Sequence, residues 1–136
     1  MVQIDIEYQG GLRCEAIHAP SGRRLTTDAP TDNRGKGESF SPTDLVATAL
    51  GTCILTILGI TAEEHGWNID GARARVVKHM VADPQRRIAK LEMVISIPRD
   101  PGPEARATLE QAAGTCPVCH SLGQAVGHPI RWKWGA

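Results

Sequence analysis

The chain has 136 residues, with 15 Lys and Arg against 15 Asp and Glu, and four cysteines. That length suits a single domain over residues 1–136, large enough to bury a core without disulfide staples. A net charge of zero argues against a phosphate-tracking surface, and three Trp, one Tyr and one Phe are too few for a platform that stacks single-stranded bases, so no nucleic-acid partner is expected.

No charged-then-apolar leader opens the sequence, so a cytoplasmic protein is expected. Val2, Ile4, Ile6 and Tyr8 alternate with polar residues, the period of a half-buried strand. Gly10-Gly11 marks a turn, after which Leu12, Cys14 and Ala16 alternate toward His18. A second turn at Ala19-Pro-Ser-Gly22 leads to a short strand from Arg24 to Thr27, which completes a small antiparallel meander.

Asp28 to Phe40 is rich in Pro, Asp, Asn, Gly and Lys and reads as an exposed loop. It stops at a helix start: Ser41 suits the N-cap, Pro42 the first helical position, and Asp44 completes a capping-box-like pattern. Leu45, Ala49, Cys53, Ile57 and Ile60 then share one broad face, with Val46, Leu50, Ile54 and Leu58 beside it. The run from Leu45 to Ala62 approaches the length of a bilayer span. Thr48, Gly51, Thr52, Thr56 and Gly59 dilute it, so a central core helix is expected, with no membrane partner. It should end at His65-Gly66.

Arg73 to Ala82 and Ile88 to Pro98 form a hairpin around Asp83-Pro-Gln-Arg86, and Leu91, Met93, Ile95 and Ile97 give the clearest alternation in the chain. Asp100-Pro-Gly-Pro103 breaks that strand and starts a helix that ends near Gly114. A further helix starts at Cys116-Pro117, and Ile130, Trp132 and Trp134 alternate as a final strand. Strands, a long helix, two strands, helices and a strand make an α+β fold.

Four cysteines without a secretory leader are free, catalytic or metal-binding before they are structural disulfides. On local grounds Cys53 reads first as a small core hydrophobe, because mid-helix burial raises a thiol pKa unless a cation stands nearby. Cys116 is better placed, ahead of Pro117 at a helix N-terminus where amide N–H groups favour a thiolate. Cys116-Pro-Val-Cys119 is a C-x-x-C, although no parallel βαβ unit precedes it as in disulfide oxidoreductases. A zinc reading would use Cys116, Cys119, His120 and His128, but a second cysteine pair or a well-spaced histidine pair is missing. Cys14 alternates inward and is simplest as core. Arg34 is either a solvated loop charge or the cation that a Cys53 thiolate requires, and Asp44 is either only a cap or also the carboxylate that orients Arg34.

Ser41-Pro-Thr-Asp-Leu45, Cys53 eleven residues after Pro42, and Cys116-Pro-Val118 together resemble the OsmC/Ohr family of osmotically induced and organic hydroperoxide resistance proteins. The resemblance implies an OsmC-like fold in which antiparallel sheets wrap a long central helix in an intertwined homodimer. It further implies a peroxidatic Cys53, a resolving Cys116 and an activating Arg34. Substrates would be organic hydroperoxides, the reductant an external dithiol, and no cofactor would be needed. Typical peroxidases of the family carry a glutamate directly after the proline. Here that position is Thr43 and the acid falls at Asp44, as in the OsmC-like branch. One helical position turns a side chain by about 100°. Two other functions fit the residues: a disulfide reductase using Cys116 and Cys119, and a non-catalytic dimer that binds a small apolar ligand.

Overall fold

A computed structural model describes residues 1–136. The chain divides into two compact units, residues 1–46 and 47–136. In the first, β1 (Ile4–Gly10), β2 (Arg13–His18) and β3 (Arg23–Asp28) form an antiparallel sheet in chain order, the meander expected from the alternation. Leu12 sits in the β1–β2 turn at φ 64° and is 43% exposed, which removes it from the inward set of β2. Cys14 is half-buried rather than core. Ile4, Ile6 and Tyr8 are all more than half exposed, so the apolar face of β1 is uncovered in the single chain.

Buried Asp28 ends β3 and organises the loop beyond it. Its carboxylate accepts the Glu38 amide at 3.0 Å and pairs with Arg13 at 3.4 Å, while its own amide donates to the Phe40 carbonyl. A buried carboxylate needs such partners to offset its desolvation. The long helix α1 (Pro42–His65) follows. Its start is a reciprocal cap: the Ser41 hydroxyl accepts the Asp44 amide at 3.1 Å, and the Asp44 carboxylate accepts the Ser41 amide at 2.9 Å. Its end is Gly66 at φ 73°, a left-handed conformation that glycine adopts without strain.

In the second unit, β4 (Arg73–Val81), β5 (Arg87–Ile97) and β6 (Ile130–Trp134) form a sheet in that order. The β4–β5 pair is antiparallel, but β6 runs parallel to β5, a departure from an all-antiparallel expectation. The cause is the long return through α2 (Pro103–Ala113) and α3 (Pro117–Leu122), long enough to carry the chain back to the same end of the sheet. Leu91, Met93, Ile95 and Ile97 are buried on one sheet face, joined in the core by Leu50, Ile54 and Leu58 of α1 and Leu109 of α2. A Cβ added to Gly51 would stand 3.1 Å from the Val76 Cγ2, so glycine permits close approach of α1 to β4. The helix is long and apolar enough to cross a membrane, yet it is a core helix. Thr52 and Thr56, both exposed, donate their hydroxyls to carbonyls one turn earlier, at 2.8 Å each.

Loss of the cap hydroxyl should be felt directly. Ser41→Ala is expected to destabilise the protein by about 1 kcal/mol in urea unfolding, with the m-value unchanged.

Candidate active site at the Cys53 and Cys116 thiols

At the middle of its length, α1 turns Cys53 out between the buried Gly51 and Ile54, leaving it half-buried. The second thiol comes from the start of α3. Thr115 and Cys116 leave the end of α2, and Pro117 takes the first helical position, where its missing N–H costs nothing. Cys116 is the N-cap. Its Sγ, fully buried, accepts the Cys119 amide at 3.4 Å, the contact that a serine or aspartate oxygen makes at other helix starts.

These two segments meet. The Cys53 thiol lies near enough to the Cys116 side chain and the Val118 backbone amide for both to act on its pKa. The first turn of α3 thus gives one amide to the Cys116 sulfur, from Cys119, and brings the Val118 amide near Cys53. Burial foremost raises the Cys53 thiol above its ordinary pKa; the neighbouring Cys116 side chain also raises it, while the Val118 amide lowers it. No cationic side chain is among the groups acting on Cys53, and the net effect holds it as a thiol.

The remaining residues singled out by sequence lie as follows. Cys119 is 6% exposed and all four cysteines are free. Arg34 is exposed at φ 69°, at the end of a short 3-10 turn over Thr31–Asn33, and its guanidinium makes no hydrogen bond or ion pair. Gly35 beside it is required, because an added Cβ would fall 1.6 Å from the Ala29 carbonyl oxygen. Asp44 is engaged in the α1 cap, so the Asp44–Arg34 pair weighed from sequence is not formed. His120 is exposed, His128 directs Nδ1 to the Val126 carbonyl at 3.0 Å, and no group of three or more His, Cys, Asp or Glu side chains converges to hold a metal. The Val118 amide is the one contributor the sequence reading missed; Pro117 after Cys116 was its only signal, since it marks where free amides begin.

Residues 35–130 match the OsmC-like protein family, and the chain belongs to that family. A Psychrobacter arcticus structure, provisionally described as an osmotic stress induced and detoxification response protein, is 41% identical, with 97% of this chain and 96% of that one covered at a TM-score of 0.91. The organic hydroperoxide resistance protein OsmC of Legionella pneumophila is 14% identical over 98% of this chain and 96% of that one, at a TM-score of 0.78. OhrB of Bacillus subtilis, an organic hydroperoxide resistance protein, is 17% identical over 98% of both chains, at a TM-score of 0.74. The last two likenesses are of fold. No curated protein matches the chain in sequence.

The electrostatics of the thiol pair give a direct test. The pH midpoint of Cys53 alkylation by iodoacetamide should lie above that of a free thiol, and Cys116→Ala should lower it, because a neighbour that raises the pKa is gone. A midpoint at or below the free-thiol value in the unaltered protein would contradict this electrostatic account.

Proposed function

We propose that this chain is a cofactor-free thiol peroxidase that reduces organic hydroperoxides, with Cys53 as the attacking thiolate and Cys116 as the resolving thiol. The observation that carries the reading is the proximity of these thiols, close enough for Cys116 to act on the Cys53 pKa, from segments 63 residues apart in sequence. Deprotonated Cys53 attacks the terminal oxygen of the O–O bond, the alkoxide leaves and takes a proton, and Cys53 becomes a sulfenic acid. The Cys116 sulfur then displaces water from that sulfenic acid, forming the Cys53–Cys116 disulfide. An external dithiol reduces the disulfide by two exchange steps and is itself released as a disulfide.

Because burial holds Cys53 protonated, the reaction needs a positive charge at the sulfur as the thiolate forms. Arg34 is assigned that role, as an exposed guanidinium not committed to any carboxylate. The reductase reading, with Cys116 and Cys119 as its working pair, is less well supported. An attacking thiol must reach its target, and these sulfurs are 0% and 6% exposed against a half-buried Cys53. Apolar packing along α1 around Cys53 suits an alkyl hydroperoxide better than hydrogen peroxide. The uncovered apolar face of β1 supports a homodimer, and four cysteines suit a reducing cytoplasm.

Consumption of tert-butyl hydroperoxide with a dithiol donor tests the mechanism. Cys53→Ser should abolish turnover, and Arg34→Ala should lower kcat/KM by about 10²-fold, the usual scale for one charge-stabilising donor. Cys116→Ser should stop after about one peroxide per chain, as sulfenate accumulates without a resolving partner. Full activity in Cys53→Ser would refute the mechanism, and loss confined to Cys119→Ser would establish the reductase.

A further inference from the structure

The second sheet has two unlike faces. Ala74 and Val76 turn toward Gly51 of α1, so strand alternation places Arg73, Arg75 and Val77 on the opposite face. The register aligns two rows across three strands there: Arg75, Val94 and Arg131 in one, Arg73, Ser96 and Lys133 in the next. Within a row the two cations stand two strands apart, about 10 Å at their backbones, and the rows lie about 7 Å apart along the strands. These residues line a concavity of about 600 Å³. All four cations are exposed, and none is engaged in a hydrogen bond or ion pair. Glu92 is the only acidic side chain lining the concavity, and it is already bound by His79 at 3.0 Å and Lys90 at 3.6 Å.

Four uncompensated positive charges on one small surface repel one another, in a protein whose net charge is zero. An anion would relieve that repulsion. Three of the four are arginines, whose planar forks match phosphate oxygens bidentately, and Ser96 adds a hydroxyl between Arg73 and Lys133. One phosphate brings only about −1.5 to −2 charge; a chain of two or three matches four cations. The volume is that of a small-molecule site. A net charge of zero gives an extended polyanion such as a nucleic acid no general attraction to the protein beyond this patch.

We propose that this outer face of the β4–β5–β6 sheet binds an oligophosphate chain through Arg73, Arg75, Arg131 and Lys133. It is separate from the thiol chemistry, which belongs to the α1 side of the sheet. Calorimetric titration with sodium tripolyphosphate should show saturable binding at one site per chain that weakens as salt is raised. Arg75→Ala and Arg131→Ala should each weaken it about tenfold or more, the loss expected for a charged hydrogen bond. Arg24→Ala, on the first sheet and paired with Glu15, should leave it unchanged, as should Cys53→Ser. Orthophosphate should bind at least tenfold more weakly than tripolyphosphate. A nucleoside triphosphate that binds tenfold tighter than tripolyphosphate would identify a nucleotide as the source of the chain, whereas equal binding would identify free oligophosphate. Absence of saturable binding at about 1 mM tripolyphosphate, an equal loss in Arg24→Ala, or tighter binding of a short single-stranded oligonucleotide would each overturn the proposal.

Discussion

The meeting of the first turn of α3 with the middle of α1 is the contact on which the chemistry of this chain depends. A helix start leaves amides without partners, and here the Cys119 amide ends on the Cys116 sulfur while the Val118 amide lies near enough to Cys53 to act on its pKa. This does two things at once. It fixes the Cys116 side chain as a cap, with no freedom to turn away, and it places the Cys53 sulfur beside it. Cys53 in turn stays where it is because α1 lies close against β4, an approach that the missing Cβ of Gly51 permits. Pro117, Gly51 and the two cysteines are thus one mechanical arrangement, in which a change at any of them moves the sulfurs relative to one another.

The arrangement is electrostatically restrained. The nearby Val118 amide favours the Cys53 thiolate, but burial and an adjacent thiol outweigh it. Such a thiol is protected from adventitious oxidation, since reactivity follows thiolate character and exposure. Under the proposed mechanism it becomes nucleophilic only when a cation is brought to it, so activation is a property of the loaded site rather than of the resting one. Arg34 fits such a part by its state: exposed, uncommitted, and held at a positive φ by a loop whose closure at Gly35 tolerates no side chain.

Much of this was legible in the sequence where local rules agree with one another. The α1 boundaries follow from Ser41, Asp44 and Gly66 because capping is local chemistry, and the β5 core follows from Leu91, Met93, Ile95 and Ile97 because a period of two has one meaning in a half-buried strand. The direction of β6 was not legible, since Ile130, Trp132 and Trp134 alternate identically in a parallel and an antiparallel neighbour, and only the return through two helices decides. Leu12 shows the opposite failure: it keeps the alternation but occupies a turn at positive φ, where turn geometry overrides the pattern. The thiol pair lay between these cases. Composition treats Cys53 as an inert core residue, and nothing within ten residues of it announces a partner; Cys116 lies 63 residues away, and only tertiary packing joins them.

The same physics that hides the thiols leaves other surfaces conspicuously uncovered. Ile4, Ile6 and Tyr8 on β1 are 57%, 69% and 63% exposed, and burying each fully would contribute roughly 1.5–3 kcal/mol. Along α1, exposed Thr52 and Thr56 bond their hydroxyls back to helix carbonyls, and Ile60 continues the line at 49% exposure. A threonine face in which the hydroxyls are already satisfied loses little polar solvation when covered, so it can meet a second apolar surface without leaving a donor stranded. The outer face of the second sheet follows the reverse logic, since its uncovered side chains are cations without counterions rather than apolar groups without cover. Apolar exposure calls for another protein surface and unpaired positive charge calls for an anion. The proposed homodimer and the proposed oligophosphate site therefore make different demands on different residues of this fold, and neither draws on the sulfur atoms that the first turn of α3 holds together.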